Sequence, residues 1–209
     1  MSICNGVAGN RGRNPIGIFI HNDAGSQNAN AAFYRNWLQT HPLENGFAHY
    51  YVAQDGILQS EDDSNCAWHS GNLDGNLNYL SVEVCQSMGD LDVLKHNEEK
   101  AFQLVASKCI QYGITPNENT IRLHQEVYAT SCPHRSVETS RRHEVNESIF
   151  YRENQGSCQT TDSEAIKSRQ SQKLLYGIKR MYLAKVDGRS KRRYCRNCGT
   201  KSSAGSNQD

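Results

Sequence analysis

Residues 122–134 read RLHQEVYATSCPH, which sets His124 and Cys132 eight positions apart with no other catalytic pattern close by. Imidazole nitrogen and thiolate sulfur both suit zinc, and a catalytic zinc takes three protein donors and keeps its fourth tetrahedral position open. One more donor must therefore come from elsewhere in the chain. His21 is the best placed, because it ends the apolar run IGIFIH (16–21), and open α/β sheets present their sites at the carboxyl ends of strands. His124 ends a second run, TIRLH (120–124). Two strand-end histidines and a cysteine returning on a loop can converge on one ion. Spacing alone also allows hydrogen-bonded surface histidines, since 8 His and 8 Cys offer many accidental combinations.

The elements that must position these residues follow from hydrophobic periodicity. After the strand at 16–21, NANAAFYRNWLQTH puts Phe33, Trp37 and Leu38 on one helical face behind an asparagine cap. AHYYVAQDGILQS predicts two short strands around an Asp55-Gly56 turn, and YLSVEV (79–84) another strand. HNEEKAFQLVASKCIQYG reads as a helix capped by Asn97, with Glu98 and Glu99 at its positive end and Gly113 closing it. The expectation is an α/β fold: a single domain over 1–138 with a central mixed β-sheet flanked by helices.

Beyond Val137 the pattern fails. Residues 139–209 hold only 9 Ile, Leu, Val or Phe in 71 positions, so composition predicts a basic, poorly ordered tail over 139–209. Charge divides the same way, with 8 Lys/Arg against 15 Asp/Glu in 1–138 and 15 against 7 afterwards. The acidic front half argues against a specific nucleic-acid partner. No stretch is apolar enough for a membrane span, and MSICNGVAGNRGRN lacks the hydrophobic run of a signal peptide, so the expected site of synthesis is the cytoplasm. Without an export signal the eight cysteines are better read as metal ligands or free buried thiols than as a disulfide framework. Cys195-x2-Cys198 in the tail is half a zinc ribbon and a weak signal.

IFIHND, AHYYVAQDG, AWHSG, YLSVEV and RLHQEVYATSCPHRS, in this order over about residues 15–137, resemble the type 2 N-acetylmuramoyl-L-alanine amidases, a family that includes phage lysozyme-like amidases and peptidoglycan recognition proteins. The most specific element is His124-x7-Cys132-Pro133 after a strand-end histidine. The resemblance implies that His21, His124 and Cys132 bind Zn²⁺. It also implies that the substrate is bacterial peptidoglycan, cut at the amide between the lactyl group of N-acetylmuramic acid and L-alanine. The IHND and CPHRS wording is most similar to phage endolysins of Gram-positive hosts, which implies action on the cell wall after holin-mediated release.

An amide is a poor electrophile, so such a site needs a cation to polarise the carbonyl and acidify water, a base for the proton and a donor for the oxyanion. Relatives place a tyrosine or a carboxylate in the base role. The tyrosine position falls at Ala48, which cannot serve, and the carboxylate falls at Glu83 in SVEV. Thr130 matches an oxyanion-assisting position, although a turn-forming threonine fits the loop equally well. His69 and Asn78 match groove-lining positions, and Arg135 is suited to grip a peptide carboxylate. His49 and Trp68 read as interior residues. The alternative function, a non-catalytic peptidoglycan-binding protein of the same fold, would typically have lost the cysteine that stands here as Cys132.

Overall fold

The strands at 17–22 and 50–53 are buried on both faces, so the two-residue period of each decides which side chains meet the helices and which meet the site. The structure, a computed structural model, describes residues 2–142 and 163–186, with side chains over 2–139 and 171–186. In chain order it comprises β1 (Gly17–Asn22), α1 (Ala31–Thr40), β2 (Tyr50–Ala53), β3 (Gly56–Gln59), α2 (Leu73–Asn78), β4 (Tyr79–Val84), α3 (Leu91–Tyr112), β5 (Ile121–Leu123), α4 (His134–Arg142) and α5 (Ser163–Val186). Short 3-10 turns cover Leu43–Asn45 and His124–Glu126. The five strands lie in the order β3-β2-β4-β1-β5, all neighbours parallel except the β2–β3 hairpin. This is the mixed sheet flanked by helices that the sequence implies.

One face carries Ile18 and Ile20 from β1, Tyr50 and Val52 from β2, and Leu80, Val82 and Val84 from β4 into a core with α3 and α5. Residues between them point the other way. Tyr51 joins a second core with Tyr34 and Leu38 of α1, and Phe19, His21, Ser81 and Glu83 share that side. Register then completes the placement, because His21 pairs with Glu83 and Glu83 with Tyr51 across the central strands.

Three elements depart from the sequence reading. In α1 the buried pair is Tyr34 and Leu38, while Phe33 is 45% exposed, so the apolar stripe seen from sequence is split between core and cleft. Helix α3 begins at Leu91, capped by Asp90 through the backbone N–H groups of Asp92 and Val93. Asn97 lies inside that helix, buried, and its amide donates to the Cys85 carbonyl at 3.1 Å and to Gln86 Oε1 at 3.2 Å, tying the β4–α3 loop instead of capping a helix.

The third departure is α5. Average composition argued against any packed element after residue 138, yet Ile178, Tyr182 and Val186 are 0–2% exposed within the core against α3. Their spacing of four places all three on one stripe, so a few apolar residues suffice where a helix needs only one buried face. Tyr182 meets Phe102 edge-on at 5.1 Å. Lys185 Nζ donates to the carbonyls of Glu118 (2.6 Å) and Ile121 (2.7 Å) and pairs with Glu126 at 2.8 Å. The Cys195–Cys198 pair lies outside the described residues. Among the described residues, no helix is long and apolar enough to cross a membrane, and all five cysteines are free.

Candidate metal centre

Strand β1 delivers His21 at its carboxyl end, β5 runs directly into the turn that starts at His124, and the following loop brings Cys132 back beside Asn22. One donor atom from each of the three residues lies within 4.8 Å of the others. His21 Nδ1 and Cys132 Sγ are 3.6 Å apart. Two donors held tetrahedrally at roughly 2.1 Å (nitrogen) and 2.3 Å (sulfur) from one zinc stand about 3.6 Å apart, so this pair already has the separation a shared ion requires. The His21 and His124 rings cross at 4.9 Å, and His124 keeps a buried Nε2 with no hydrogen-bond partner.

Electrostatics agrees with that geometry. Burial, with His124 beside it, pushes His21 down to about 3, and burial also lowers His124, so both imidazoles are neutral and keep a lone pair for a ligand. Burial and then Glu83 raise the Cys132 thiol, which therefore ionises only if a cation sits next to it. The Asn22 backbone N–H already points at the sulfur, 3.3 Å away, ready to steady a thiolate. Two imidazoles, one sulfur and an open side facing a cleft match the donor set of a catalytic zinc site.

Glu83 stands next to this cluster, one strand from His21. Its Oε2 is buried without a hydrogen-bond partner, and burial, with the charge of Asp23, pushes its carboxyl up to about 8. Asp23 is itself held in place, accepting from Tyr34 Oη (2.8 Å) and from the backbone N–H groups of Gln86 (2.9 Å) and Ser87 (3.0 Å). Tyr51, which pairs in register with Glu83, uses its hydroxyl to accept the Ala48 N–H at 3.1 Å. A phenol thus lies on the site face from position 51, although position 48 is a buried alanine.

The cluster opens into a cleft of about 1060 Å³ whose floor is His21, Glu83, His124 and Cys132. Its far wall is aromatic, formed by Phe33, Trp37, Phe47 and Trp68. Tyr128, 54% exposed, stacks on His124 at 5.7 Å and closes against Gly71, whose positive φ of 61° and contact with the tyrosine ring leave no room for a side chain. Trp68 of AWHSG, read from sequence as interior, packs only partly on the second core and lines the cleft, and the other three wall residues belong to no motif.

The other sequence candidates fall into two groups. His69 lines the cleft but its ring is engaged with His21 (3.2 Å) and the Gly75 carbonyl (3.2 Å). Thr130 Oγ1 accepts the Cys132 N–H at 3.2 Å, shaping the loop that carries the sulfur. Asn78 and Arg135 are not among the cleft residues. Asn78 stands at the opposite end of β4 from Glu83, donating to Asp74 at 2.5 Å and accepting from Arg13, while Arg135 pairs with Glu138 at 3.0 Å on α4. His49 is fully buried and bonded to Ser81 and Arg11, as an interior histidine should be.

Comparison with known proteins bears on the same residues. A profile of the N-acetylmuramoyl-L-alanine amidase family matches residues 11–135. The endolysin PlyTW of Staphylococcus phage Twort is 41% identical over 136 residues, 61% of this chain but 28% of its own length. The endolysin LysK of Staphylococcus phage K is 41% identical over 142 residues, 61% of this chain and 27% of its own. This chain therefore spans only a minor part of the length of either relative. The solved structure of PlyL superposes with a TM-score of 0.53 at 29% identity, covering 61% of this chain and 78% of that one. The matched span runs from before β1 to the start of α4 and contains His21, Glu83, His124 and Cys132, and since it takes in more than half of the sequence, the chain belongs to the N-acetylmuramoyl-L-alanine amidase family.

Proposed function

We propose that this chain hydrolyses the amide between the lactyl group of N-acetylmuramic acid and the L-alanine of the peptidoglycan stem peptide, with Zn²⁺ held by His21, His124 and Cys132. The observation that carries this reading is the convergence of those three donors beside a buried, unpartnered carboxyl oxygen of Glu83 at the floor of one cleft. The endolysin names of the two staphylococcal phage relatives support a setting in host-wall lysis.

When bound, the ion supplies Lewis acidity that polarises the scissile carbonyl and acidifies water. Glu83 takes a proton from the attacking water on Oε2, the oxygen left without a partner, and returns it to the departing alanine nitrogen. Bond accounting is simple: the C–N bond breaks, the carbonyl carbon gains the water oxygen as a carboxylate, and the amine leaves protonated. Burial keeps Glu83 close in basicity to neutral pH, where a carboxyl can both accept and donate within one cycle. Tyr51, its phenol held protonated by burial and then by Glu83, keeps a hydroxyl hydrogen beside the base. The aromatic wall of Phe33, Trp37, Phe47 and Trp68 offers flat apolar surface to the substrate and excludes water from the floor.

The catalytic unit on this reading runs through α5, because the core beneath the site is closed by Ile178, Tyr182 and Val186. Mass spectrometry of digested cell wall tests the function directly. Free muramoyl lactate carboxyls appearing together with new L-alanine amino termini are the expected products. New reducing sugar ends, or cleavage inside the stem peptide, would assign a different bond.

A further inference from the structure

His69 and His21 form a chain of hydrogen bonds in which every proton position is dictated by the group at its end. The Gly75 carbonyl can only accept, and besides the Tyr79 N–H it faces His69 Nε2 at 3.2 Å, so that nitrogen carries a hydrogen. A neutral His69 then has a bare lone pair on Nδ1. His21 Nε2 stands 3.2 Å from that lone pair, so it must be the donor and carry the hydrogen of its own ring. His21 Nδ1 is thereby left as the free lone pair, and it is the atom that faces Cys132 Sγ at 3.6 Å.

The loop holding His69 is itself fixed. Asn76 Oδ1 accepts from the backbone N–H groups of His69 (3.0 Å) and Ser70 (2.9 Å) and from Ser70 Oγ (2.8 Å), and the His69 ring packs on Phe19 at 5.4 Å. A histidine contacting substrate would present a free ring nitrogen to the cleft. This one has both nitrogens committed behind His21.

We propose that His69 is a positioning residue whose Nδ1 accepts from His21 Nε2–H, fixing the tautomer and ring orientation that aim His21 Nδ1 at the metal. The inference rests on the reading of His21, His124 and Cys132 as metal donors. It changes the role of His69 from substrate contact to support of a ligand, and it makes Gly75 and Asn76 of α2 part of the metal site's frame. Outer partners of this kind commonly change metal affinity by roughly 10- to 100-fold when removed.

The test uses the full chain. Long-range ¹H–¹⁵N NMR of the metal-free wild type should show His21 with a protonated Nε2 and a bare Nδ1, and His69 with the same pattern. Zinc affinity, measured by competition with a chromophoric chelator, should fall roughly 10- to 100-fold in His69→Phe, which keeps a ring but offers no acceptor. His69→Asn, whose Oδ1 falls near the place of Nδ1, should recover most of that loss, a rescue that general packing would not produce. A His21 proton on Nδ1 in the wild type, or equal affinity in wild type, His69→Phe and His69→Asn, overturns the proposal. If His21→Ala also leaves zinc affinity unchanged, the failure belongs to the metal reading itself; if His21→Ala abolishes binding while His69→Phe does not weaken it, only the role of His69 is refuted.

Discussion

Replacing Glu83 by Gln should make the metal-free protein more stable at pH 8 while destroying its catalysis. In the folded chain the carboxyl is pushed from 4.5 to about 8, first by burial and then by Asp23. The unfolded chain ionises this residue near its ordinary value of roughly 4.3. Between those two values the folded state holds a proton that the unfolded state has released, so stability falls as pH rises through that window and the full penalty is present above about 8. At 1.36 kcal/mol per pH unit, the gap sets a ceiling of roughly 5 kcal/mol. If a third of that is realised, Glu83→Gln raises Tm at pH 8 by about 3–6 °C for a chain of this size. Below about pH 4 both proteins carry a neutral side chain and should melt together. Glu98, raised to about 7 chiefly by burial, gives both proteins a slope of the same sign, so the quantity to measure is their difference. The assay is a series of melting curves from pH 4 to 9 on metal-free wild type and variant, repeated with Zn²⁺. A nearby cation favours the carboxylate and should shrink the gap. Turnover of the zinc-loaded variant should fall by about 10²-fold or more. Superimposable pH profiles would show that the carboxyl is not held neutral by its surroundings, and turnover within a few-fold of wild type would place the base elsewhere.

Cys132→Ser should lose stoichiometric zinc on dialysis against a chelator concentration that the wild type withstands; retention of one zinc and full activity would remove the sulfur from the donor set. Tyr182→Ala, at a position 1% exposed, should lower the urea unfolding free energy by roughly 3–5 kcal/mol, and a chain ended at Thr160 should fail to fold cooperatively, whereas a native-like melt of that truncation would show that α5 is dispensable. Asn78→Ala should act on stability through its lost bonds to Asp74 and Arg13 and leave KM within a few-fold; a large rise in KM with unchanged Tm would return Asn78 to the substrate groove.

Much of the site is legible in the sequence because it lies where regular structure ends. His21 and His124, two of the three candidate donors, stand out by finishing apolar strand runs, while Glu83 is proposed from the family resemblance, as an acid on a mostly apolar strand with Ala48 unable to serve. Register does the rest, since His21 and Glu83 are direct partners across β1 and β4. What sequence misses depends on angular detail or on averages. Phe33 and Trp37 differ from the buried pair Tyr34 and Leu38 by one step of a helix, about 100° of rotation, and periodicity does not say which stripe meets a cleft. The start of α3 escapes because Asp90 and Asn97 are both good caps, and only the loop after β4 decides which is used. Helix α5 escapes because a mean over 71 residues dilutes three apolar positions that sit on one face. Asn78, expected in the groove, ends α2 just before β4, and Glu83 lies near the far end of that strand, so nearness in sequence becomes most of the length of β4 in space.

The contact of Lys185 with β5 also bears on solubility. Strand β5 is three residues long and forms one rim of the sheet. Because Thr120 gives its carbonyl to Ile18, the next carbonyl along, that of Ile121, faces away from the sheet, where a strand from another molecule would dock. The Lys185 ammonium occupies that acceptor at 2.7 Å, so the rim presents a charge in place of a free hydrogen-bonding edge. Removing α5 would uncover this rim together with the apolar surface beneath Ile178 and Tyr182. Lys185→Met in the full-length chain should therefore raise light scattering on storage well before it lowers the melting temperature.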